Sequence, residues 1–258
     1  MKITFVYHSC FAVETDRCIL VFDFWKDPAG VIPGLLSGEK QMYVFSSHFH
    51  EYHFNREIFL WKDMRPVREN GSVPGVSYIL SKDILKHRRA ERGEADRWLA
   101  KGGTWADENV RVIATGSNDS GVSWIVDTGG RSIFHAGDLN NWYSRFLTDD
   151  FQGGLVRSTE TGEMIDPVRE EKLYIGELKD IRKIRDGFDV VMFPVDGRTG
   201  NGYTKGARQF ISRFRTGLFV PMHFTASGFA SAWRMREFTD ALSIPFWAIS
   251  RNGETVEI

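Results

Sequence analysis

"FSSHFHEYHF", residues 45–54, sets His48, His50 and His53 within six residues of one another in a chain of 258 residues that has only seven histidines. The run Gln41-Met42-Tyr43-Val44-Phe45 that leads into it is apolar enough for a buried strand, and Asn55 is placed to cap a helix carrying Ile58, Phe59 and Trp61. Histidines gathered on the turn that leaves a strand are a poor choice for packing and a good one for a metal, because imidazole nitrogen is a natural ligand of Zn²⁺, Mn²⁺ or Fe²⁺. On an extended segment the His-x-His spacing also sends both rings to one side, since strand side chains alternate. The plain alternative is a surface knot of hydrogen-bonded histidines, and the rest of the chain decides between the two.

Working outward, the first half reads as strands. Ile3, Phe5 and Tyr7 alternate with Lys2, Thr4 and Val6, and Phe11 to Glu14 and Cys18 to Phe24 follow. The glycines and prolines between Lys26 and Lys40 predict a loop. "VSYILS" (76–81) and "VRVIATG" (110–116) are short buried strands on either side of the charged segment Lys82–Lys101, which reads as a solvated helix and its loop. Residues 121–138 form a hairpin turning at Gly129-Gly130. The second half alternates helix and strand. Glu170–Arg185 carries Tyr174, Leu178 and Ile181 at helical spacing, and "FDVVMFPVD" (188–196) is a strand buried on both faces. Residues 204–215 predict a helix, 217–224 a strand, 229–242 a helix, and 246–250 with 254–258 a closing strand pair.

The 33 basic and 34 acidic side chains nearly cancel, to a formal net charge of -1, which argues against a global electrostatic grip on nucleic acid. Cys10 and Cys18 lie in neighbouring strands, and a turn at Thr15-Asp16-Arg17 sets Glu14 rather than Cys10 opposite Cys18, so both read as reduced core residues. The N-terminus enters a strand at once, and no apolar run approaches the roughly 20 residues needed to span a bilayer, so the expected location is cytoplasmic with no membrane partner. Repeats, low-complexity runs and linkers are absent from the sequence, and one domain over 1–258 is the default.

Four signals fall at the C-terminal ends of predicted strands: the histidine cluster, the turn "TGSNDSG" (115–121), "HAGD" ending at Asp138, and "PMHF" containing His223. In this order they resemble the metallo-β-lactamase superfamily, in particular its lactonase-like members, whose signature runs His-x-His-x-Asp-His, then a His, an Asp and a His. The resemblance covers nearly the whole chain, from "YHSCFAVET" through "IFHAGDLNNW" to "FPVDGR" and "PMHF". It implies an α+β four-layer αβ/βα sandwich, two mixed sheets face to face with helices outside. It also implies that His48 and His50 ligate a first metal, His53 and His223 a second, and that Asp138 bridges both.

Two family positions differ here. The motif aspartate is Tyr52, and the third histidine of the first site falls in the 115–121 turn, where Asn118 and Asp119 offer oxygen instead. The remaining four histidines and one aspartate suffice for one well-held ion, with zinc first in expectation and manganese or iron as alternatives. The implied activity is hydrolysis of a small ester, lactone or phosphoester through metal-activated water, with Asp138 and Tyr52 nearest the chemistry. A relative that binds a ligand or one metal without turnover is the competing reading. His8, Asn118, Asp119, Asn140, Trp142, Asp196 and Arg198 are candidate contacts to a small-molecule substrate, with Asp196 and Arg198 equally readable as a local ion pair. His87 and His135 read as ordinary surface or core residues.

Overall fold

Alternation builds the first sheet. In β1 (Lys2–Tyr7) Ile3 and Phe5 face one core and Val6 the other. β2 (Cys10–Glu14) repeats this with Phe11 and Val13 against Cys10 and Ala12, and β3 (Cys18–Phe22) with Leu20 and Phe22 against Ile19 and Val21. Apolar side chains on both faces at a period of two demand cover on both sides.

The computed structural model describes residues 1–158 and 162–258. The remaining strands are β4 (Gln41–Ser46), β5 (Val76–Ser81), β6 (Arg97–Leu99), β7 (Thr104–Ala106), β8 (Val110–Gly116), β9 (Val122–Thr128), β10 (Arg131–His135), β11 (Val156–Arg157), β12 (Met164–Ile165), β13 (Gly187–Pro194), β14 (Arg215–Met222) and β15 (Thr255–Glu257). One mixed sheet has the order β15-β1-β2-β3-β4-β5-β6, the other β14-β13-β10-β9-β8-β7, and β11 with β12 makes a small ribbon. Between the sheets lies a core drawn from both halves of the chain, from Ile3 to Ile249, in which Phe22 stacks on Phe45 at 4.9 Å and Phe45 meets Trp124 at 5.7 Å.

Helices cover the outer faces. α1 (Val31–Leu36), the 3₁₀ turn Arg56–Lys62 and α2 (Lys82–Lys86) bury Ile32, Leu35, Ile58, Trp61 and Ile84 in the core outside the first sheet. α3 (Pro167–Ile184), capped by the Asp166 carboxylate, buries Tyr174, Leu178 and Ile181. α4 (Lys205–Ile211) sets Phe210 on Phe134 of β10 at 4.8 Å. The result is the expected α+β four-layer sandwich. No helix among the described residues is long and apolar enough to cross a membrane.

Several expectations change. The 26–40 loop contains α1, which Asp27 starts by accepting from the Val31 and Ile32 amides at 2.9 and 2.7 Å. Pro33 is tolerated because it sits in the first turn, where no intrahelical N–H is needed. The charged segment 82–101 is α-helical only to Lys86; Arg88 then turns left-handed, at φ 54°, and a 3₁₀ turn at Arg92–Glu94 leads into β6. Residues 229–242 divide into α5 (Phe229–Ala232) and α6 (Met235–Ala241). The closing strands do not pair with each other: Phe246 makes one bridge to Phe219, and β15 instead covers the open edge of β1. Glu14 pairs with Ile19, and Thr15, one residue on, donates its amide to the Cys18 carbonyl. Both cysteines are free and buried, Cys10 in the outer core and Cys18 in the inner one.

The topology aims at one edge. β1, β3 and β4 run in one direction in the first sheet, as do β8, β10, β13 and β14 in the second. The segments following their C-terminal ends are cross-linked between sheets, with Val122 donating to the Ser47 carbonyl and His223 to the His8 carbonyl, each at 3.0 Å.

Candidate metal centre

Each of those strand ends delivers a polar side chain: His8 after β1, Asp23 after β3, Ser47 and His48 after β4, Asp119 on the turn after β8, Asp138 after β10, Asp196 after β13 and His223 after β14. Three of them hold left-handed backbone that a side chain adopts at a cost, His8 at φ 58°, Asp23 at 46° and His223 at 66°. Such strain persists only where the surroundings impose it, and here it bends three strand ends towards one point. Two glycines make the close approach feasible. A Cβ on Gly121 (φ 63°) would lie 2.0 Å from the Ser47 carbonyl oxygen, and one on Gly137 (φ 54°) 2.8 Å from the Ser47 side chain.

The histidines share one arrangement, in which one ring nitrogen is tied and the other faces inward. His53 Nδ1 donates to Asp23 Oδ2 at 2.6 Å, and His223 Nδ1 to Asp196 Oδ2 at 3.0 Å. The Ser47 hydroxyl gives its proton to Asp23 at 2.6 Å, so at 2.9 Å it can only accept from His48 Nδ1, which leaves Nε2 of His48 with a bare lone pair. His8 Nδ1 is held by Thr225 Oγ1 at 2.7 Å. Inside, His48, His53 and His223 bring Nε2 to 3.2, 3.0 and 3.4 Å of the Asp138 carboxylate. Yet Nε2 of His8, His48 and His53 and Oδ1 of Asp138 are buried and take no hydrogen bond. These contacts are close but lie off the line a hydrogen bond needs.

Polar atoms left so cost about 1–3 kcal/mol each, and four of them converging with their outer partners fixed fit a cation. Three overlapping sets of donor atoms lie within 4.8 Å of one another: His8, His53 and His223; His48, His53 and Asp138; and His50, Asp119 and Asp138.

The electrostatics divide the cluster: burial favours neutral rings at His8, His48 and His50, whereas His53 is held protonated between two carboxylates and would have to give up its inner proton to a cation. Burial, then the neighbouring His223 and His53, push His8 down to about 2. Burial and His53 lower His48, and burial and His48 bring His50 to about 4. Burial would lower His53 too, but Asp138 and Asp23 on its two nitrogens raise it to about 10. Against the effect of burial, His53, His48 and His223 hold Asp138 well below the ordinary carboxylate range. Asp196 is lowered similarly by His223 and Arg198.

The remaining sequence candidates fall into two groups. His8, Asp119 and Trp142 join the cluster, Trp142 with its ring 5.3 Å from His223 and its indole N–H donating to the Asp138 carbonyl at 2.8 Å. Asn118 and Asn140 bond to each other instead, Nδ2 to carbonyl at 2.9 Å and amide to Oδ1 at 3.2 Å, which fastens the 117–121 turn to the Asp138 loop. Asp196 backs His223 and also pairs with Arg198 at 2.6 Å. Tyr52 is 38% exposed at the rim, its ring 4.8 Å from Trp25 and 5.8 Å from His8.

Sequence reasoning passed over Asp23, whose signal is a lone carboxylate inside the apolar run Cys18–Trp25. His135, read as ordinary, is fully buried behind the cluster, stacked on Phe22 at 5.1 Å and bonded to the Ser9 carbonyl. His87 stacks on Phe49 at 3.6 Å, outside the cluster.

No protein-family model matches the sequence, and no curated protein does. Solved structures do match. Igni18, a metallo hydrolase from the hyperthermophilic archaeon Ignicoccus hospitalis, aligns over 99% of this chain and 97% of its own with TM-score 0.63 and 17% identity. YhfI, a metallo-β-lactamase fold protein from Bacillus subtilis, aligns over 99% of both chains with TM-score 0.64 and 12% identity. An isothiocyanate hydrolase from Delia radicum gut bacteria aligns over 100% and 99% with TM-score 0.54 and 14% identity. At these identities the likeness is one of architecture, and this chain has the metallo-β-lactamase fold.

Proposed function

We propose that the chain is a metal-dependent hydrolase of a small ester, lactone or phosphoester, with its reaction centre at the His48–His50–His53–Asp138–His223 cluster. One observation carries this reading: buried ring nitrogens whose outer partners are fixed converge, without hydrogen bonds, on a buried carboxylate. A hydrogen-bonded knot of histidines would pair those atoms. That two of the similar structures are of hydrolases adds support.

His48, His50, His53 and His223 would hold a divalent cation, zinc first among the candidates, with Asp138 set between them. A cation there supplies Lewis acidity, polarising a carbonyl or phosphoryl oxygen and acidifying water. Asp23 and Asp196 orient His53 and His223 by accepting from their Nδ1 atoms, which turns both inner nitrogens towards Asp138. Arg198 compensates the charge of Asp196. Trp142 and Tyr52 wall the entrance, and the Tyr52 phenol can donate to a bound substrate.

The competing reading, a silent relative, draws on the two motif departures. His8 and Asp119 supply ligand-type atoms in the same cluster, so the departures do not remove the metal centre, and the hydrolases among the similar structures favour turnover over silent binding. The test is elemental analysis of the purified protein together with a panel of activated esters, lactones and phosphoesters, before and after chelation. Hydrolysis that a chelator abolishes and metal restores is expected. Metal-free protein, or turnover indifferent to chelator, would refute the reading.

A further inference from the structure

The two substituted motif positions leave a question that the cluster answers from elsewhere in the chain. Tyr52 stands at the rim against Trp25, and the 117–121 turn brings no histidine. Two other donors reach the same space. His8 arrives from the end of β1 with Nε2 buried and without a hydrogen bond, its Nδ1 on Thr225 and its ring 4.1 Å from that of His223. Asp119 arrives on a turn fixed at both sides, by the paired Asn118 and Asn140 and by Gly121 seated on Ser47. It brings a carboxylate oxygen within 4.8 Å of donor atoms of His50 and Asp138.

We propose that the cluster is two unlike cation positions joined at Asp138: a buried one made by His8, His53 and His223, and an open one that Asp119 completes with His50 and His48. The assignment rests on the metal-centre reading above and goes beyond it by naming the two replacement ligands and their consequence.

The donor sets differ in kind. Three imidazoles and one shared carboxylate, all buried, suit a borderline cation such as Zn²⁺. Two imidazoles and two carboxylates, with His50 half-buried and Asp119 exposed, accept a harder cation such as Mn²⁺ and let it exchange with solvent. The buried position has its ligands oriented by Asp23, Asp196 and Thr225. Fixed outer contacts of this type are worth roughly 10–100-fold in metal affinity.

Titration of chelator-stripped full-length protein with Zn²⁺, and separately with Mn²⁺ followed by electron paramagnetic resonance, tests the proposal. Wild type should take two equivalents of Zn²⁺ with affinities at least tenfold apart, and Mn²⁺ at the weaker position. Asp119→Ala should weaken the second equivalent at least tenfold and leave the first within about twofold. His8→Ala should weaken the first by about 10–100-fold, of the order set by ligand orientation alone or above it. His8→Gln and a circular-dichroism spectrum of each variant guard against misfolding, since Asp119 is exposed and its replacement leaves the core untouched.

A single equivalent in wild type overturns the proposal, as do unchanged constants in both folded His8 variants. Equal losses at the two positions on replacing Asp119 overturn it too. If wild type takes two unlike equivalents but hydrolyses nothing, the hydrolase reading falls and this one stands. If it binds no metal, both fall.

Discussion

The two ends of the cluster are built differently. At the buried end, His53 and His223 each have a carboxylate behind them, His8 has Thr225, and His8, Asp23 and His223 hold left-handed backbone. At the open end, His50 packs its ring against Phe49 at 4.3 Å and His48 at 4.8 Å, and Asp119 rides on an exposed turn. Each strained non-glycine residue costs on the order of 1–3 kcal/mol, and the unpaired inner nitrogens add to that. The buried end is therefore assembled ahead of its ligand at the expense of stability, whereas the open end can adjust when its ligand arrives. Binding strength should follow the first end and exchange the second.

The sharpest break removes a buried donor. His223→Ala should weaken metal binding by roughly 100-fold or more, beyond the range set by outer-contact changes, while His87→Ala should leave it unchanged. Equal affinities in the two variants, measured by competition with a chromogenic chelator, would remove His223 from the centre. Next comes the support behind His53. Asp23 accepts from the Ser47 amide at 2.7 Å, the Ser47 hydroxyl and His53 Nδ1, so Asp23→Asn loses the charge that holds His53 directly and His48 through Ser47. About 10–100-fold in affinity is expected, with the number of equivalents unchanged. An affinity within twofold of wild type would show that the buried end does not depend on orientation.

The chelator-stripped protein should reveal the stored instability through pH. His8 lies near 2 and His50 near 4 in the fold, against about 6.5 when unfolded. A histidine lowered in this way stabilises above the unfolded value, and the contribution is lost as pH falls from about 6.5 towards the folded one. His53 is raised to about 10 and behaves oppositely, contributing fully below about 6.5 and losing its contribution as pH rises through about 10. Between pH 7.5 and 5.5 the lowered histidines dominate. His8 alone removes about 1.4 kcal/mol at one unit below the unfolded value. A urea midpoint for stripped protein that is unchanged or higher at pH 5.5 would contradict this.

How much of this was legible follows the chemistry of each signal. The histidine run, "HAGD" and "PMHF" were readable because polar residues at the ends of apolar strands are rare and their order along the chain is itself informative. The strands were readable wherever Ile, Phe and Val alternate, as in β1 to β4. Asp23 was not, because "VFDFW" reads as one strand until the left-handed turn at Asp23 is seen. The role of His8 depends on its approach to His223, 215 residues away, through a backbone bond no local pattern encodes. Asn118 stands where the family's third histidine falls and Asn140 follows Asp138, which makes both look like pocket residues in the sequence, and only the fold pairs them with each other. α1 was hidden by Pro33 and Gly34, which lower helix propensity without preventing a turn that Asp27 caps. The path of β15 could not come from its own composition, since it depends on which sheet edge stays open.

The smallest effect is expected at Tyr52, where the family signature has an aspartate. If His8 already completes the buried position, a carboxylate introduced at the rim competes for space rather than filling a vacancy. Tyr52→Asp should then change the tighter affinity by no more than a few fold. It should also lose the ring contacts to Trp25 and His8, worth about 0.5–1.5 kcal/mol of stability for an aromatic pair. A carboxylate that reached the cation would instead add a charged ligand and tighten binding by orders of magnitude. The double variant separates the cases. In a His8→Ala background, Tyr52→Asp should recover part of the lost affinity if the two side chains approach the same position from opposite walls, and recover none if Tyr52 faces only the substrate. A 100-fold gain from Tyr52→Asp alone, with His8→Ala silent, would place the vacancy at Tyr52 after all and return His8 to the wall of the pocket.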